Sequence, residues 1–237
     1  MRSLIHVLTL ELLGKSMVLE DLPRTAIRGG GLSDWAGYAG RLTGRFDYSN
    51  TYFHMTPRLD ICQPDEEWFA KLDFLIASDV FEHVFAPVSD AFAGAFNVLR
   101  PGGLFVMTAP YDDRPTTTEH YPIGAWLQTM EFDGEFVVVH RDPSGVFRLD
   151  AEPVFHGGPG STLEMRMFSL SDLVALMHEA GFEDVKVHDQ GWAPFGVFPP
   201  HPWGLPITGR RPVQRTTSVT PLSGRIPPKS SSRQEIF

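Results

Sequence analysis

The stretch that decides the fold runs from Lys71 to Tyr111 and reads KLDFLIASDVFEHVFAPVSDAFAGAFNVLRPGGLFVMTAPY. It begins with a largely apolar run, Leu72 to Ser78, and ends with another, Leu104 to Ala109. A helix-like segment and a Pro-Gly-Gly turn separate the two runs. Two apolar strands joined by a helix are typical of a parallel sheet that is covered on both faces. The sequence therefore predicts a doubly wound α/β fold built around this unit.

Polar residues follow both of these strands. Asp79, Glu82 and His83 come after the first strand, and Tyr111 follows the second. In open α/β sheets, ligands bind in the crevice beyond the carboxyl ends of the strands. We therefore expect the functional site to lie at this end of the sheet.

The segments before Lys71 predict alternating helices and strands. Gly14 and Gly44 are typical helix stops, and aromatic and β-branched residues favour strands. The predicted elements are a helix over 4–13, a strand over 25–31 ending in a glycine turn, a helix from 33 or 34 to 43, a strand over 46–53 and a short strand over 57–61.

The regular alternation breaks after Tyr111. Residues 112–163 predict an insertion that contains a β-hairpin, with strands over 135–141 and 146–150, and insertions of this length are often lids or substrate walls. A helix over 169–180 and strands over 183–188 and 205–210 then complete a single domain, 1–212. Serine, threonine, proline and basic residues dominate 213–237, which predicts a disordered tail.

Composition excludes several classes of protein. The chain has 20 basic and 29 acidic residues, a net charge of −9, which argues against binding to nucleic acid or to an anionic membrane. Its one cysteine, Cys62, excludes an internal disulfide framework and a multi-cysteine zinc site, and fits a reducing compartment. No apolar run approaches the length of a membrane span. These features predict a cytoplasmic protein without a nucleic-acid or membrane partner, and they leave its oligomeric state open.

Two segments at this spacing resemble a known family. Leu72 to Val84 and Leu99 to Tyr111 are similar to the fourth and fifth strands of class I S-adenosylmethionine-dependent methyltransferases, and Ala180-Gly181-Phe182 is similar to a late turn of that family. The resemblance covers roughly 25–111 and 165–211. It implies a Rossmann-like, mostly parallel sheet of seven strands with the hairpin insertion after strand five. It also implies methyl transfer from the cofactor S-adenosyl-L-methionine to an unidentified small-molecule or glycan-type acceptor.

The resemblance also implies a set of cofactor contacts. The triglycine Gly29-Gly30-Gly31 stands where the family has a glycine turn against the methionine part of the cofactor, although the usual acidic-x-Gly-x-Gly-x-Gly pattern is absent. Asn50 stands near the place of the acid that holds the ribose. Asp60 matches the residue facing the adenine amino group, with Ile61 beside the ring. The adenine and methionine edge would be followed by Ser78, Asp79, Val80 and Phe81.

The acceptor side is assigned from residue chemistry and position. His83 is the candidate catalytic base, because a histidine pKa lies near neutrality and this one follows a strand end. We expect the acceptor wall to contain Glu82, Tyr111, His120, Tyr121 and His156.

Plainer interpretations stay open beside these. Gly29 to Gly31 fits an ordinary strand–helix turn, and His83 fits a structural histidine. The histidine spacings match no compact ligand pattern, so no metal site is predicted. The alternative functions are a non-catalytic binding module with the same fold, and a nicotinamide-dependent oxidoreductase, for which the Gly-x-Gly-x-x-Gly fingerprint is missing.

Overall fold

The computed structural model describes residues 1–85, 87–121, 126–198 and 204–213. Within them the α-helices are α1 Arg2–Leu13, α2 Ala36–Thr43, α3 Val88–Val98 and α4 Leu170–Glu179. The strands are β1 Arg28–Leu32, β2 Asp47–Thr51, β3 Leu72–Ser78, β4 Leu99–Thr108, β5 Tyr111–Asp112, β6 Thr118–Glu119, β7 Leu127–Phe132, β8 Glu135–Arg141, β9 Phe147–Asp150, β10 Phe155–His156, β11 Thr162–Leu163, β12 Arg166–Ser169, β13 Glu183–Val187 and β14 Ile207–Arg210.

The central sheet has six strands in the order β13-β14-β4-β3-β1-β2. Strands β2, β1, β3 and β4 are parallel, whereas β14 runs antiparallel to β4 and β13 runs antiparallel to β14. The doubly wound α/β prediction is confirmed at this level. Because β1 to β4 are parallel, their carboxyl ends lie at one edge of the sheet.

One of the seven predicted strands, the one over 57–61, is not present as a strand. The described residues there form only an isolated parallel bridge between Tyr52 and Arg58. Pro57 accepts a hydrogen bond from the Tyr52 amide but has no N–H of its own to donate to a ladder. The pairing therefore stops after one bridge, and β2 is the edge strand of the sheet.

Helices cover both faces of the sheet. Phe74 and Ile76 of β3 pack with α1 and α2, whereas Leu75 and Ala77 pack with α3 and α4. Alternate side chains of one strand therefore enter two apolar layers. This explains why β3 is apolar on both faces, as strands of a covered parallel sheet are. Among the described helices, none combines the length and the apolar character needed to cross a bilayer.

The prediction of a glycine turn at Gly29 to Gly31 is wrong. All three residues lie inside β1 and are buried. A Cβ atom at Gly29 would overlap the ring of Phe74, and one at Gly31 would overlap the Tyr48 hydroxyl. These glycines therefore make room for the rings of neighbouring strands. The turn comes one residue after β1, where Ser33 has a left-handed φ of 55°.

Pro101-Gly102-Gly103, predicted as a turn, is the irregular first part of β4. Gly102 has a φ of 83°, and the pairing of β3 with β4 shifts register between Leu72 and Phe74. The strand therefore starts earlier than its apolar residues indicate, at Leu99.

The insertion carries three small sheets. The hairpin of β8 and β9 is joined by β7 into a three-stranded antiparallel sheet, and the return strand β12 pairs with both β5 and β6. Strands β10 and β11 form a separate hairpin. The domain limits stay a prediction, and the predicted tail lies outside the described residues from 214 onward.

The close packing of β1 against Phe74 predicts that a side chain at position 29 is not tolerated. We expect Gly29→Ala to lower the free energy of unfolding by about 1–3 kcal/mol, because Phe74 is fully buried and cannot yield without disturbing the core. The control is Gly40→Ala in α2, where nothing lies within 4 Å of the added methyl group. That variant should gain up to about 1 kcal/mol from helix propensity. Urea denaturation measures both, and equal stability of the two variants would contradict the packing role.

Candidate active site

The carboxyl ends of the four parallel strands carry a convergent set of polar groups. Ser33 and Asp34 follow β1, Asn50 lies near the end of β2, and Asp79 follows β3. Thr108 ends β4 beside them. This is the edge at which α/β sheets bind ligands, so the structure brings these residues to the expected crevice.

A buried carboxylate, missed from the sequence, anchors the turn after β1. Asp34 is 5% exposed and accepts hydrogen bonds from Tyr38, at 2.6 Å, and from Tyr48. Burial raises the pKa of Asp34 to about 6, and the two tyrosine hydroxyls act in the opposite direction. Tyr38 lies on α2 and Tyr48 on β2, so these two elements together fix the position of the turn after β1.

Asn50 clamps the same turn. Its side-chain Oδ1 accepts from the Asp34 amide at 2.8 Å, and its Nδ2 donates to the Asp34 carbonyl at 2.8 Å. Nδ2 also donates to the Tyr52 hydroxyl at 3.1 Å. Both amide hydrogens are thus used inside the protein, and a ribose contact through Oδ1 stays a prediction.

The end of β3 presents an exposed carboxylate. Asp79 has a left-handed φ of 54°, and its backbone amide donates to the Thr108 carbonyl at 2.9 Å. Its carboxylate accepts from the Thr108 hydroxyl at 3.2 Å, while Ser78 Oγ lies 3.0 Å from that same hydroxyl. Two hydroxyls and a carboxylate therefore face the crevice from β3 and β4.

The other predicted cofactor residues divide by burial. Asp60 is partly exposed and accepts from the Cys62 amide at 3.0 Å, and Ile61 is buried beside it. Val80 packs partly buried against the core. Phe81 was predicted to follow the cofactor, but its ring is fully buried against Phe92 and Phe105, so this prediction is wrong for the side chain.

Two predicted members of the acceptor wall are also core residues. Tyr111 is 3% exposed, and its hydroxyl accepts from the Leu205 amide at 3.3 Å. Tyr121 is 2% exposed and donates to Asp150 at 2.6 Å. Both rings are held in apolar packing with their hydroxyls occupied, so neither lines an open wall. The sequence shows an amphipathic ring but not which side of it meets solvent.

The fold brings Glu82, His83, His120 and His156 together with a fifth residue, Glu164. Glu82 Oε1 lies 3.5 Å from His83 Nε2 and 3.5 Å from His156 Nδ1. Glu164 accepts from His156 at 2.7 Å and from His120 at 2.9 Å. The first two residues come from the 3-10 turn Phe81–His83, and His156 comes from the β10–β11 hairpin of the insertion. Glu164 follows that hairpin directly, but no motif in the sequence marks it.

Glu82 is the unusual member of this cluster. It is fully buried, and neither carboxylate oxygen has a hydrogen-bond partner among the described residues, because the two histidine contacts lack hydrogen-bond geometry. Burial raises the pKa of Glu82 to about 8. Burial also lowers the pKa of His83, whose Nδ1 lies 2.8 Å from the Leu163 carbonyl and donates to it.

For Glu164, burial alone would raise the carboxyl pKa, but the bonds from His120 and His156 outweigh it and lower that pKa. Glu164 is therefore an ionised carboxylate that orients two imidazole rings, in contrast to the unpartnered Glu82.

Arg166 fixes the turn that carries this cluster. Its fully buried guanidinium donates to the carbonyls of Phe81, at 2.9 Å, and Val84, at 2.7 Å, and to Glu119 at 2.8 Å. The Phe81 and Val84 carbonyls flank Glu82 and His83 in the chain. Arg166, on strand β12, therefore fixes the position of the turn that carries both side chains.

A cleft of about 360 Å³ opens beside His83. It lies between the 3-10 turn and the insertion, and its lining includes His83, Phe85, Leu127, Thr129, Leu163 and Met165. Its volume suits a small molecule. The cleft is therefore the candidate acceptor pocket.

Asp34 predicts a specific dependence of stability on pH. Its pKa is about 6 in the folded state against 3.8 for a free side chain, so the folded state holds the proton longer. The resulting stabilisation is full below about pH 4 and is lost as the pH rises through about 6. We expect the unfolding free energy of the wild type to fall between pH 4 and pH 7 by roughly 2–3 kcal/mol more than that of Asp34→Asn. Urea denaturation across this range measures the difference.

The matched control for the Asp34 prediction is Asp47→Asn, which changes an exposed carboxylate at the opposite end of β2. Its unfolding free energy should depend on pH as that of the wild type does. Parallel pH curves for the wild type and Asp34→Asn would refute the raised pKa of Asp34.

No protein-family model matches the chain, and no curated protein matches it either. Solved structures do match. The sugar N-methyltransferase KedS8 from Streptoalloteichus sp ATCC 53650 is 13% identical, with a TM-score of 0.50, over 89% of this chain and 86% of that one. DesVI of Streptomyces venezuelae is 15% identical over 78% and 83% of the two chains, with a TM-score of 0.44. An S-adenosylmethionine-dependent methyltransferase from Clostridium acetobutylicum ATCC 824 is 12% identical over 90% of each chain, with a TM-score of 0.46. The likeness to the first of these, together with the strand order, shows that this chain has the fold of class I S-adenosylmethionine-dependent methyltransferases.

Proposed function

We propose that this protein is an S-adenosyl-L-methionine-dependent methyltransferase that acts on a small-molecule or sugar-type acceptor. The observation that carries the proposal is the convergence of Asp34, Ser78, Asp79 and Thr108 at the carboxyl edge of a methyltransferase-type sheet. Such an enzyme needs a polar crevice at this edge of the sheet and a cleft for a small molecule.

The residues at the crevice fit this cofactor. Its methionine part carries a positive amino group and a sulfonium cation, which the exposed carboxylate of Asp79 would attract. Asp60 and Ile61 offer an acceptor and an apolar surface of the kind that an adenine ring requires. The turn at Ser33 and Asp34 takes the place of the family's glycine turn. When bound, the cofactor supplies a methyl group already activated by the sulfonium.

The remaining task of the protein is to place the acceptor and to exclude water, because the methyl group needs no further activation. Asp79 at the crevice and His83 at the cleft are four residues apart, at the end of β3 and in the turn that follows it. The insertion forms its other wall. The solved structure of the same fold is described as a sugar N-methyltransferase, and a polar acceptor of that kind is part of the proposal.

Calorimetric titration separates the proposed function from its alternatives. We expect S-adenosylhomocysteine to bind the full chain with micromolar affinity and NADH not to bind. Binding of NADH alone would support the oxidoreductase alternative. Binding of neither would leave only the non-catalytic module with this fold, and would overturn the methyltransferase proposal.

Two variants test the placement of the cofactor. Asp79→Asn keeps the shape and tolerates the left-handed backbone, but it removes the charge and should weaken S-adenosylhomocysteine binding about tenfold or more. Asp60→Ala should weaken it as well. Asp47→Asn, at the amino end of the sheet, is the matched control and should bind like the wild type. Unchanged affinity in Asp79→Asn would contradict the proposed site.

A further inference from the structure

We propose that Glu82, His83 and His156 form a binding site for one divalent transition-metal ion beside the cleft. One ligand atom from each residue lies within 4.8 Å of the others, the spread expected of groups that can close around a common ion. The site joins the central domain to the insertion, because His156 comes from the β10–β11 hairpin.

The unpartnered carboxylate is the first argument. Glu82 is fully buried, and its Oε1 faces the His83 and His156 nitrogens at 3.5 Å without a hydrogen bond to either. A buried polar group without a partner is costly, so such groups in native proteins need a specific explanation. A cation between the three residues would give the carboxylate a partner.

The surrounding hydrogen bonds are the second argument. His83 Nδ1 donates to the Leu163 carbonyl, which leaves Nε2 free to face the centre of the group. His156 Nε2 donates to Glu164 at 2.7 Å, which leaves Nδ1 free in the same way. Histidines that ligate metals nearly always donate their other ring nitrogen to a carbonyl or a carboxylate. Both outer partners are therefore in place, and His120 holds the second oxygen of Glu164 at 2.9 Å.

The local charge also suits a cation. Glu82 and Glu164 are the carboxylates of the group, and Glu164 Oε2 lies 2.7 Å from His156 Nε2. The guanidinium of Arg166 directs Nε to Glu119 and Nη1 to two backbone carbonyls, while its Nη2 has no hydrogen-bond partner among the described residues. Carboxylate ligands bind a metal in the deprotonated form, so the ion would supply the positive charge that an ionised Glu82 lacks in this buried position.

The ligand types select the metal. Two imidazole nitrogens and one carboxylate suit Zn²⁺, Mn²⁺ or Fe²⁺, whereas Mg²⁺ and Ca²⁺ prefer oxygen ligands. Three protein ligands leave at least one coordination position open, as in catalytic rather than structural sites. Because His83 also lines the cleft, an ion bound to it would lie beside the space proposed for the acceptor.

The chemical consequence rests on the proposed function. A divalent ion there would bind an oxygen or nitrogen atom of the acceptor and lower the pKa of a bound hydroxyl. In that case the ion would prepare the acceptor, and His83 would serve as a ligand in place of the predicted base.

The test titrates the chelator-treated full chain with ZnCl₂ by calorimetry and with Co²⁺ by visible absorption. We expect one ion per chain with micromolar or tighter affinity, and a ligand-field spectrum typical of nitrogen and oxygen ligands. His83→Ala, His156→Ala and Glu82→Gln should each weaken binding at least a hundredfold. Glu164→Gln, which removes an outer partner, should weaken it about 10- to 100-fold.

The matched control is His178→Ala in the last turn of α4, a histidine whose Nδ1 lies 3.3 Å from the Phe182 carbonyl and which has no place in the proposed site, so this variant should bind the ion like the wild type. Circular dichroism of each variant checks folding. No binding of Zn²⁺, Mn²⁺ or Co²⁺ by the wild type, or equal binding by the three ligand variants, would overturn the site. Titration with S-adenosylhomocysteine on the same samples keeps the two proposals apart. Binding of the metal without binding of S-adenosylhomocysteine would sustain the metal site and reject the methyltransferase function. Binding of S-adenosylhomocysteine without binding of the metal would sustain the methyltransferase function and reject the metal site.

Discussion

The contact on which the functional region depends is the buried guanidinium of Arg166. It reaches from the return strand of the insertion to the carbonyls that flank Glu82 and His83. Charged hydrogen bonds in a buried setting are strong, and breaking one leaves an uncompensated charge. Nη2 of the same guanidinium has no partner among the described residues, so the bonds from Nε and Nη1 carry this contact. The insertion is therefore joined to the sheet at the point where the sheet presents its chemistry. Met165 adds to this union by donating its backbone amide to the Glu82 carbonyl at 2.8 Å.

Sequence patterns predicted the parts of the fold that depend on periodicity. Strand β3 was predicted with its observed limits, and α1 and α4 within a few residues, because apolar spacing and helix stops act locally. Gly29 to Gly31 could not be predicted in the same way. Three glycines favour a turn when they are read alone, and only the rings of Phe74 and Tyr48 on neighbouring strands make them a strand.

The site shows the same division. Asp79, Glu82 and His83 follow a strand end, so the topology alone places them at the crevice. The association of His83 with His156 and Glu164 joins residues far apart in the chain. Their sequence spacing carries no ligand pattern, because the insertion returns to the sheet only in three dimensions. Tyr111 and Tyr121 failed as wall residues for a related reason, since burial of a ring is decided by its neighbours and not by its type.

Strand β1 has one further consequence. Three of its five residues have no side chain, so Leu32 is the one residue of the strand whose side chain belongs to the core. Glycine also loses more conformational freedom on folding than other residues do, which makes β1 a weak strand by itself. The position of β1 therefore depends on its packing against the rings of Tyr48 on β2 and Phe74 on β3. The turn at Ser33 and Asp34 that follows β1 depends on the same packing, so the geometry of the crevice depends on Phe74 and Tyr48, which are buried in the core.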